Sequence, residues 1–254
     1  MNTLKYRIGK NMFLVVGECC DDVFIYGDCK RICPEAPVPV FNPIETHKNH
    51  GMAGNVVANL TAMGAECDFV CNVEDIVKTR YVDMKTNQML LRVDENDKAS
   101  RITDEQLDYI FEMSGTVHAV IISDYNKGFL TVQDIENIAS WYNYSFMDTK
   151  KILGSWADGV TFIKLNEVEY QANKNSIIDH DKLIVTLGAE GCRYKDKNYP
   201  VSEKIQTMDV SGAGDTFHSA FAVEYMKSKN IKKAINYAQK CTNTVIKKKG
   251  VATL

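Results

Sequence analysis

The sequence predicts an α/β fold, a doubly wound and mainly parallel sheet with a small β lid, and three observations carry that prediction. Short continuous apolar runs such as Phe13-Leu14-Val15-Val16 suit strands covered on both faces. Amphipathic helical stretches alternate with these runs over most of the chain. Two segments break the alternation and read as short, exposed strands.

In chain order, Phe13 to Val16 opens as a buried strand. Pro34, Pro37 and Pro39 lead into Val38-Pro39-Val40-Phe41. Proline there is tolerable only in an edge or exposed strand. Val56, Leu60 and Met63 recur at i, i+4 and i+7, one face of a helix. Lys78 to Val93 reads as two short strands around Lys85-Thr86-Asn87-Gln88, a hairpin without an Asn-Gly or Asp-Gly turn. Together these pieces form a lid, over about residues 28–50 and 78–96 of one 254-residue domain. Thr103 caps a helix through Phe111, and Thr131 caps one running to Trp141. Val117 to Ile122 and Leu183 to Leu187 are further buried strands. Ile231, Ala234, Ile235, Ala238, Cys241 and Val245 mark one face of a long final helix. Sheets of this kind bind ligands beyond the carboxyl ends of their strands, so functional residues are expected in those loops.

Composition narrows the function classes. The 30 Lys+Arg against 33 Asp+Glu give a net charge of −3, which argues against a broad basic face for nucleic acid or anionic lipid. No apolar run approaches the roughly 20 residues that span a bilayer. The polar opening Met1 to Arg7 has no secretory apolar region, so a cytoplasmic protein is expected. The eight cysteines are Cys19, Cys20, Cys29, Cys33, Cys67, Cys71, Cys192 and Cys241, and no pair has Cys-x-x-Cys spacing. They are expected as reduced structural thiols, with Cys67 and Cys71 able to share a strand face.

The most informative stretch is Asp209-Val210-Ser211-Gly212-Ala213-Gly214-Asp215-Thr216-Phe217. Gly-Ala-Gly at a helix start leaves backbone N–H groups bare, an anion site by geometry and by the helix dipole. A carboxylate at position 215 is anomalous there. Two readings stand on spacing alone: Asp215 takes a proton from a reacting hydroxyl, or it caps the first turn. The stretch is neither a P-loop nor a dinucleotide fingerprint. Asn166-Glu167-Val168-Glu169 taken alone is a capped helix start, and Gly188-Ala189-Glu190-Gly191 after a strand is equally good as a plain β-turn.

Asp209 to Thr216 resembles the signature of the ribokinase-like (PfkB) carbohydrate kinases. Arg31-Ile32-Cys33-Pro34-Glu35-Ala36-Pro37-Val38-Pro39-Val40, Lys78-Thr79-Arg80, Asn87 to Arg92 and Ser123-Asp124-Tyr125-Asn126-Lys127-Gly128 resemble one branch of it. That branch is the D-glycero-β-D-manno-heptose 7-phosphate kinase domain of lipopolysaccharide heptose biosynthesis. The resemblance runs from about Phe13 to Leu254, where such kinase domains end, so no fused nucleotidyltransferase is expected.

The resemblance implies a ribokinase-like fold and an ATP- and Mg²⁺-dependent kinase acting on the anomeric hydroxyl of a heptose 7-phosphate. It makes Asp215 the catalytic base and Gly212, Ala213 and Gly214 the anion hole. It sets Thr186, Gly188 and Gly191 against the nucleotide, and Asn166 and Glu169 beside magnesium, which keeps its waters and takes few direct ligands. Asp22 and Asn55 match residues that hold acceptor hydroxyls. Arg80, Arg92, Arg31 and Lys127 are cations for the phosphate already on the sugar, each also readable as a solvated surface charge. The partner is a small-molecule sugar phosphate, not nucleic acid or membrane. Apolar residues on small edge strands add the expectation of a homodimer through the lid. The alternatives are another hexose or nucleoside kinase, or a non-catalytic relative that binds sugar phosphate or nucleotide.

Several positions depart from the branch. Glu18 stands where Asp is usual, Met52 replaces a Gly, and Gln239 sits near a usual Asn. Asp148-Thr149-Lys150 resembles an Asp-Pro-Lys strand end with Thr149 for Pro, and carries no assigned role. The stretch from Cys71 to Lys78 is far shorter than in the family, lacking a helix and a strand, and Asn173 to Asp181 is abbreviated. These losses fall at the acceptor end, so "kinase" is a firmer expectation than "heptose kinase".

Overall fold

Alternate residues of the first apolar run face opposite ways, and this sets the layers of the molecule. The computed structural model describes residues 12–176, 180–203, 210–248 and 253–254. In β1 (Met12–Gly17), Leu14 and Val16 enter one core while Phe13 and Val15 enter another. The chain continues through β2 (Cys19–Ile32), β3 (Pro39–Met52), α1 (Ala53–Ala62), β4 (Glu66–Val70), β5 (Val77–Asp83) and β6 (Met89–Glu95). Then come α2 (Asp104–Met113), β7 (Ala119–Asp124), α3 (Val132–Trp141), β8 (Tyr144–Thr149), β9 (Phe162–Asn166) and α4 (Glu167–Asn173). β10 (Leu183–Thr186), β11 (Cys192–Tyr194), β12 (Lys197–Tyr199), α5 (Ala213–Ser228) and α6 (Ile231–Val245) complete it.

Eight strands form the main sheet in the order β12-β11-β10-β9-β8-β7-β1-β4. Pairing is parallel from β4 to β10 and antiparallel for β10, β11 and β12. Ile110 of α2 and Ile135 and Ile138 of α3 pack on the Leu14 face. α1, α5 and α6 pack on the Phe13 face through Val56, Leu60, Phe221, Ala234 and Ile235. Thr103 and Thr131 cap α2 and α3 as expected, each in a reciprocal box with the residue three further on. β7 runs to Asp124, two residues past its apolar run, because Ser123 and Asp124 keep pairing with Asp148 and Thr149 of β8.

The second sheet is larger than the short strands expected from sequence. Its order is β3-β2-β5-β6, and β2 and β3 are 14 residues each. Phe24, Tyr26 and Val82 give it a small core of its own. The prolines obey the edge rule: Pro39 and Pro43 lie in β3, an edge strand, with Pro43 beside a register shift.

β4 connects to β5 through residues 71–76 with no intervening helix, and β4 is left as the edge of the main sheet. Cys71 lies one residue past β4 and its thiol meets that of Cys19, so it does not share the strand face of Cys67 as expected. All eight cysteines are free thiols. Among the described residues no helix is long and apolar enough to cross a membrane.

Candidate active site

The parallel strands end on one side of the sheet, and buried polar groups collect there. Glu18 directly follows β1 and is fully buried. Its carboxylate accepts from the backbone N–H groups of Tyr125 at 2.8 Å, Lys127 at 2.9 Å and Phe129 at 3.2 Å. The loop after β7 is thereby pinned to the end of β1. Burial raises the Glu18 pKa, and nearby Asp124 adds to the rise. Asp124 itself accepts from the Lys151 ammonium at 2.6 Å and from the Thr149 hydroxyl, so the residue standing in for proline ties two strand ends together.

Asp215 sits in the first turn of α5, only 5% exposed, yet it does not cap that helix. Gly212 is the N-cap, at φ 77°, a left-handed conformation that suits glycine. The Asp215 carboxylate turns inward instead. Its Oδ2 accepts from Asn55 Nδ2 at 2.9 Å and its Oδ1 from the Tyr125 hydroxyl at 2.8 Å. Asn55 is held in turn by Asn59, whose Nδ2 donates to Asn55 Oδ1 at 3.1 Å. Burial pushes the Asp215 pKa up to about 6, against the pull of those two donors. A buried carboxylate with a pKa near neutrality is suited to accept a proton. Asn55, expected to meet acceptor hydroxyls, is turned onto Asp215. In the Gly212-Ala213-Gly214 turn, the Ala213 N–H donates to the Val210 carbonyl at 3.1 Å. Asp209 lies outside the described residues.

A charged chain runs from this turn across the sheet. A Cβ added at Gly214 would stand 3.0 Å from the Lys164 ammonium. Lys164 pairs with Asp148, Asp148 with Lys150, and Lys150 with Glu169. Burial works to raise the Asp148 pKa, but Lys164 and Lys150 outweigh it and hold the carboxyl well below the usual range. His218, one turn on from Asp215, is pushed down to about 4 by burial, and its Nε2 has no hydrogen-bond partner among the described residues. Asn166 caps α4 by accepting from Glu169 N–H at 2.8 Å, while Glu169 Oε2 accepts from Asn166 N–H at 2.7 Å. The helix-start reading of this motif is therefore realised. The Glu169 carboxylate also faces Lys150 at the end of the network that begins at Gly214. Among the described residues no cluster of three or more His, Cys, Asp or Glu side chains is arranged to hold a metal.

On the second sheet, Asp22 and Arg80 are paired, with Arg80 stacked 4.9 Å from the Phe24 ring. Arg80 and Arg92 stand directly opposite on β5 and β6. Arg92 grips Asp94 through two bonds of 2.6 and 2.7 Å, and Lys127 pairs with Asp97. Arg31 is exposed opposite Val40, nine residues along β2 from Asp22, and is not brought to this cluster. Lys78, which no local sequence signal marks out, is 6% exposed and its ammonium lies 5.7 Å from the Tyr125 ring centre. Burial lowers its pKa. Met52 is buried at φ 55°, ψ −132°, a backbone conformation that favours glycine. It packs with Cys20, Ile76 and Tyr125.

Thr186, Gly188 and Gly191 come together at a cavity of about 140 Å³, with Ala213, Gly214, Phe217, Gln239 and Thr242 among its walls. Gly191 has φ 97° and a Cβ there would strike the Tyr199 carbonyl at 2.1 Å. That carbonyl also accepts from Gln239 Nε2 at 2.6 Å. The cavity joins the α5 turn to the β10 turn, so a ligand in it would extend toward Gly214.

Comparison with known proteins gives a consistent picture. The model of the pfkB family of carbohydrate kinases matches residues 103–254. The Bifunctional protein HldE of Helicobacter pylori is 30% identical over 295 aligned positions, which take in 94% of this chain and 63% of that protein. The alignment is longer than the chain, so several tens of that protein's residues face gaps. The chain thus spans under two thirds of the length of the curated relatives it matches. Among solved structures, a ribokinase from Thermotoga maritima superposes with a TM-score of 0.72 at 17% identity, covering 94% of each chain. The Arabidopsis thaliana ribokinase complexed with ribose and ATP gives 0.70 at 14% identity, again covering 94% of each. These likenesses show a ribokinase-like fold.

Proposed function

The chain belongs to the pfkB family of carbohydrate kinases, and on that premise we propose that it transfers the γ-phosphate of ATP to the anomeric hydroxyl of a heptose 7-phosphate. The observation that carries the kinase reading is Asp215: a buried carboxylate beside the Gly212-Ala213-Gly214 turn, held by two donors and raised to a pKa of about 6. Asp215 takes the proton of the acceptor hydroxyl as that oxygen attacks phosphorus. Gly212, Ala213 and Gly214 with the α5 dipole stabilise the charge that develops on the transferred group. Thr186, Gly188 and Gly191 hold the nucleotide, and the second sheet acts as a lid that keeps water from the γ-phosphate. Positioning and electrostatics supply most of the rate in such a reaction.

Asn166 and Glu169 fit Mg²⁺ in the manner of an outer-shell site. Glu169 is partly exposed, and it closes the chain of ion pairs that starts at Lys164 beside Gly214. When bound, the ion neutralises charge on the phosphates.

The heptose assignment rests on the Arg31 to Val40 and Lys78 to Arg92 segments, whose resemblance is specific to that branch. The opposed Arg80 and Arg92 support it by bringing two guanidinium groups to one strand pair, where a sugar phosphate would compete with Asp22 and Asp94 for them. We also propose a homodimer joined through the lid sheets. A different acceptor of the same class is the second reading, favoured by the six-residue link between β4 and β5 that replaces the family's longer acceptor-side segment. An ADP-release assay with ATP and Mg²⁺ against heptose, hexose and pentose phosphates and nucleosides tests both. Turnover is expected to be fastest with heptose 7-phosphate. A higher kcat/KM for an unphosphorylated sugar or nucleoside overturns the heptose assignment, and acceptor-independent kinetics throughout overturn the kinase.

A further inference from the structure

A carboxylate can serve as a base only if it is both turned toward its substrate and ionised. Asn55 grips one Asp215 oxygen, and the other is gripped by a residue from a different element, Tyr125 of the loop after β7. That phenol has little freedom. Its backbone N–H is fixed by Glu18, its ring packs against the Met52, Cys20 and Ile76 cluster, and the Lys78 and Lys150 ammonium groups lie 5.7 and 5.2 Å from the ring centre. Lys78 belongs to the lid sheet and Lys150 to the ion-pair chain that reaches Glu169. The ring therefore stands where the lid, the base and the phosphate-side network meet.

We propose that Tyr125 is the positioning residue of this active site: its hydroxyl fixes the rotation of the Asp215 carboxylate and keeps it ionised at neutral pH, leaving the remaining lone pairs for the acceptor hydroxyl. The proposal rests on the reading of Asp215 as the kinase base. Four elements face that carboxylate with polar groups. Asn55 of α1, Tyr125 and Lys164 of β9 favour its anion, whereas Asp148 of β8 and burial itself oppose it. Tyr125 stays a donor throughout, since burial and the adjacent Asp215 both drive its own pKa well upward. Without the hydroxyl, burial and Asp148 would be less opposed, and the base would hold its proton to higher pH.

Tyr125→Phe removes the donor and keeps the ring that Met52 packs against. The Asp215 carboxyl is followed by ¹³C NMR in aspartate-labelled protein, its signal assigned by its loss in Asp215→Asn. The midpoint is expected to rise by about one pH unit in Tyr125→Phe, the value of one hydrogen bond to a charged group. The acidic limb of kcat/KM should move with it while KM for ATP holds. A ring-fluorinated tyrosine at position 125 is a stronger donor of nearly the same shape, and should shift the midpoint downward. An unchanged midpoint in both variants overturns the proposal, and opposite shifts support it even if the phenylalanine variant melts early. Absence of turnover by the unmodified protein would count against the kinase reading instead, because the carboxyl titration reads Tyr125 without turnover.

Discussion

As the proposed base, Asp215 is the residue on which function and stability would pull in opposite directions. Its folded pKa of about 6 lies above the ordinary carboxylate value, so the folded state prefers the protonated form. The stability this brings is fully present below the unfolded pKa near 4 and is lost as pH rises through 6. Asp215→Asn should therefore melt higher than the unmodified protein at pH 7, and the gap should close below pH 4. Catalysis runs the other way: kcat/KM should fall as pH drops through about 6, and the variant should lose at least ~10²-fold in kcat while retaining ATP. Melting curves at the two pH values and the ADP-release assay check both halves. An asparagine that leaves kcat intact removes the base from the mechanism. The sequence made Asp215 legible because its anomaly is local, a carboxylate inside a glycine turn. Tyr125, Asn55 and Lys164 matter through contacts 90, 160 and about 50 residues away along the chain, which no local pattern encodes. The ends of those contacts became visible only when the strands converged.

Elements were legible where one local signal sufficed. Thr103 and Thr131 mark helix starts by a side-chain bond three residues long, and the spacing from Ile231 to Val245 marks one buried face. The long strands β2 and β3 were not, because β3 is exposed and largely polar along most of its length, and β2 pairs with it and with β5 and not with the main sheet. Met52 joins β3 to α1, and here two effects compete. Its glycine-type backbone costs about 1–3 kcal/mol, while its buried side chain contributes roughly the 2–5 kcal/mol lost on truncating a core methionine. Met52→Ala keeps the strain and loses the packing; Met52→Gly loses the packing and relieves the strain. The glycine variant should thus be the more stable of the two by about 1 kcal/mol in urea unfolding, the reverse of the usual order, and an alanine variant that is the more stable would show that position 52 carries no strain. At α4 the question is whether Glu169 serves only its helix. Gln completes a capping box as Glu does, so Glu169→Gln spares the cap and removes the charge. If the carboxylate serves Mg²⁺, the Mg²⁺ concentration for half-maximal rate should rise about tenfold with little change in melting temperature. An unchanged Mg²⁺ dependence leaves Glu169 as a cap and a partner of Lys150 alone.

At the scale of the whole molecule the two sheets are unequally supported. The main sheet is covered on both faces by helices, whereas the lid sheet has a separate core of three side chains and, among the described residues, two unpaired edges. The β3 edge carries prolines and mostly polar residues, which block pairing. The β6 edge carries no proline, and beside Arg92, Asp94 and Glu95 it leaves Met89, Leu90, Leu91 and Val93 exposed on one seven-residue strand. A strand of that composition on a small sheet gains by burying its apolar side chains against a second copy. The proposed homodimer accounts for this edge and for the persistence of 14-residue strands over so small a core. Light scattering at micromolar concentration should give the dimer mass. Because the contact is apolar, the mass should not fall when salt is raised from 0.1 to about 1 M, where exposed ion pairs are screened. Leu91→Lys should yield a monomer whose main-sheet melting is unchanged, since Leu91 touches neither large core. It should also release more ADP in the absence of any acceptor, because a lid without its partner covers the γ-phosphate less well and admits water. A monomeric mass for the unmodified protein, with and without ligands, would defeat the dimer and leave each lid to close on its own site.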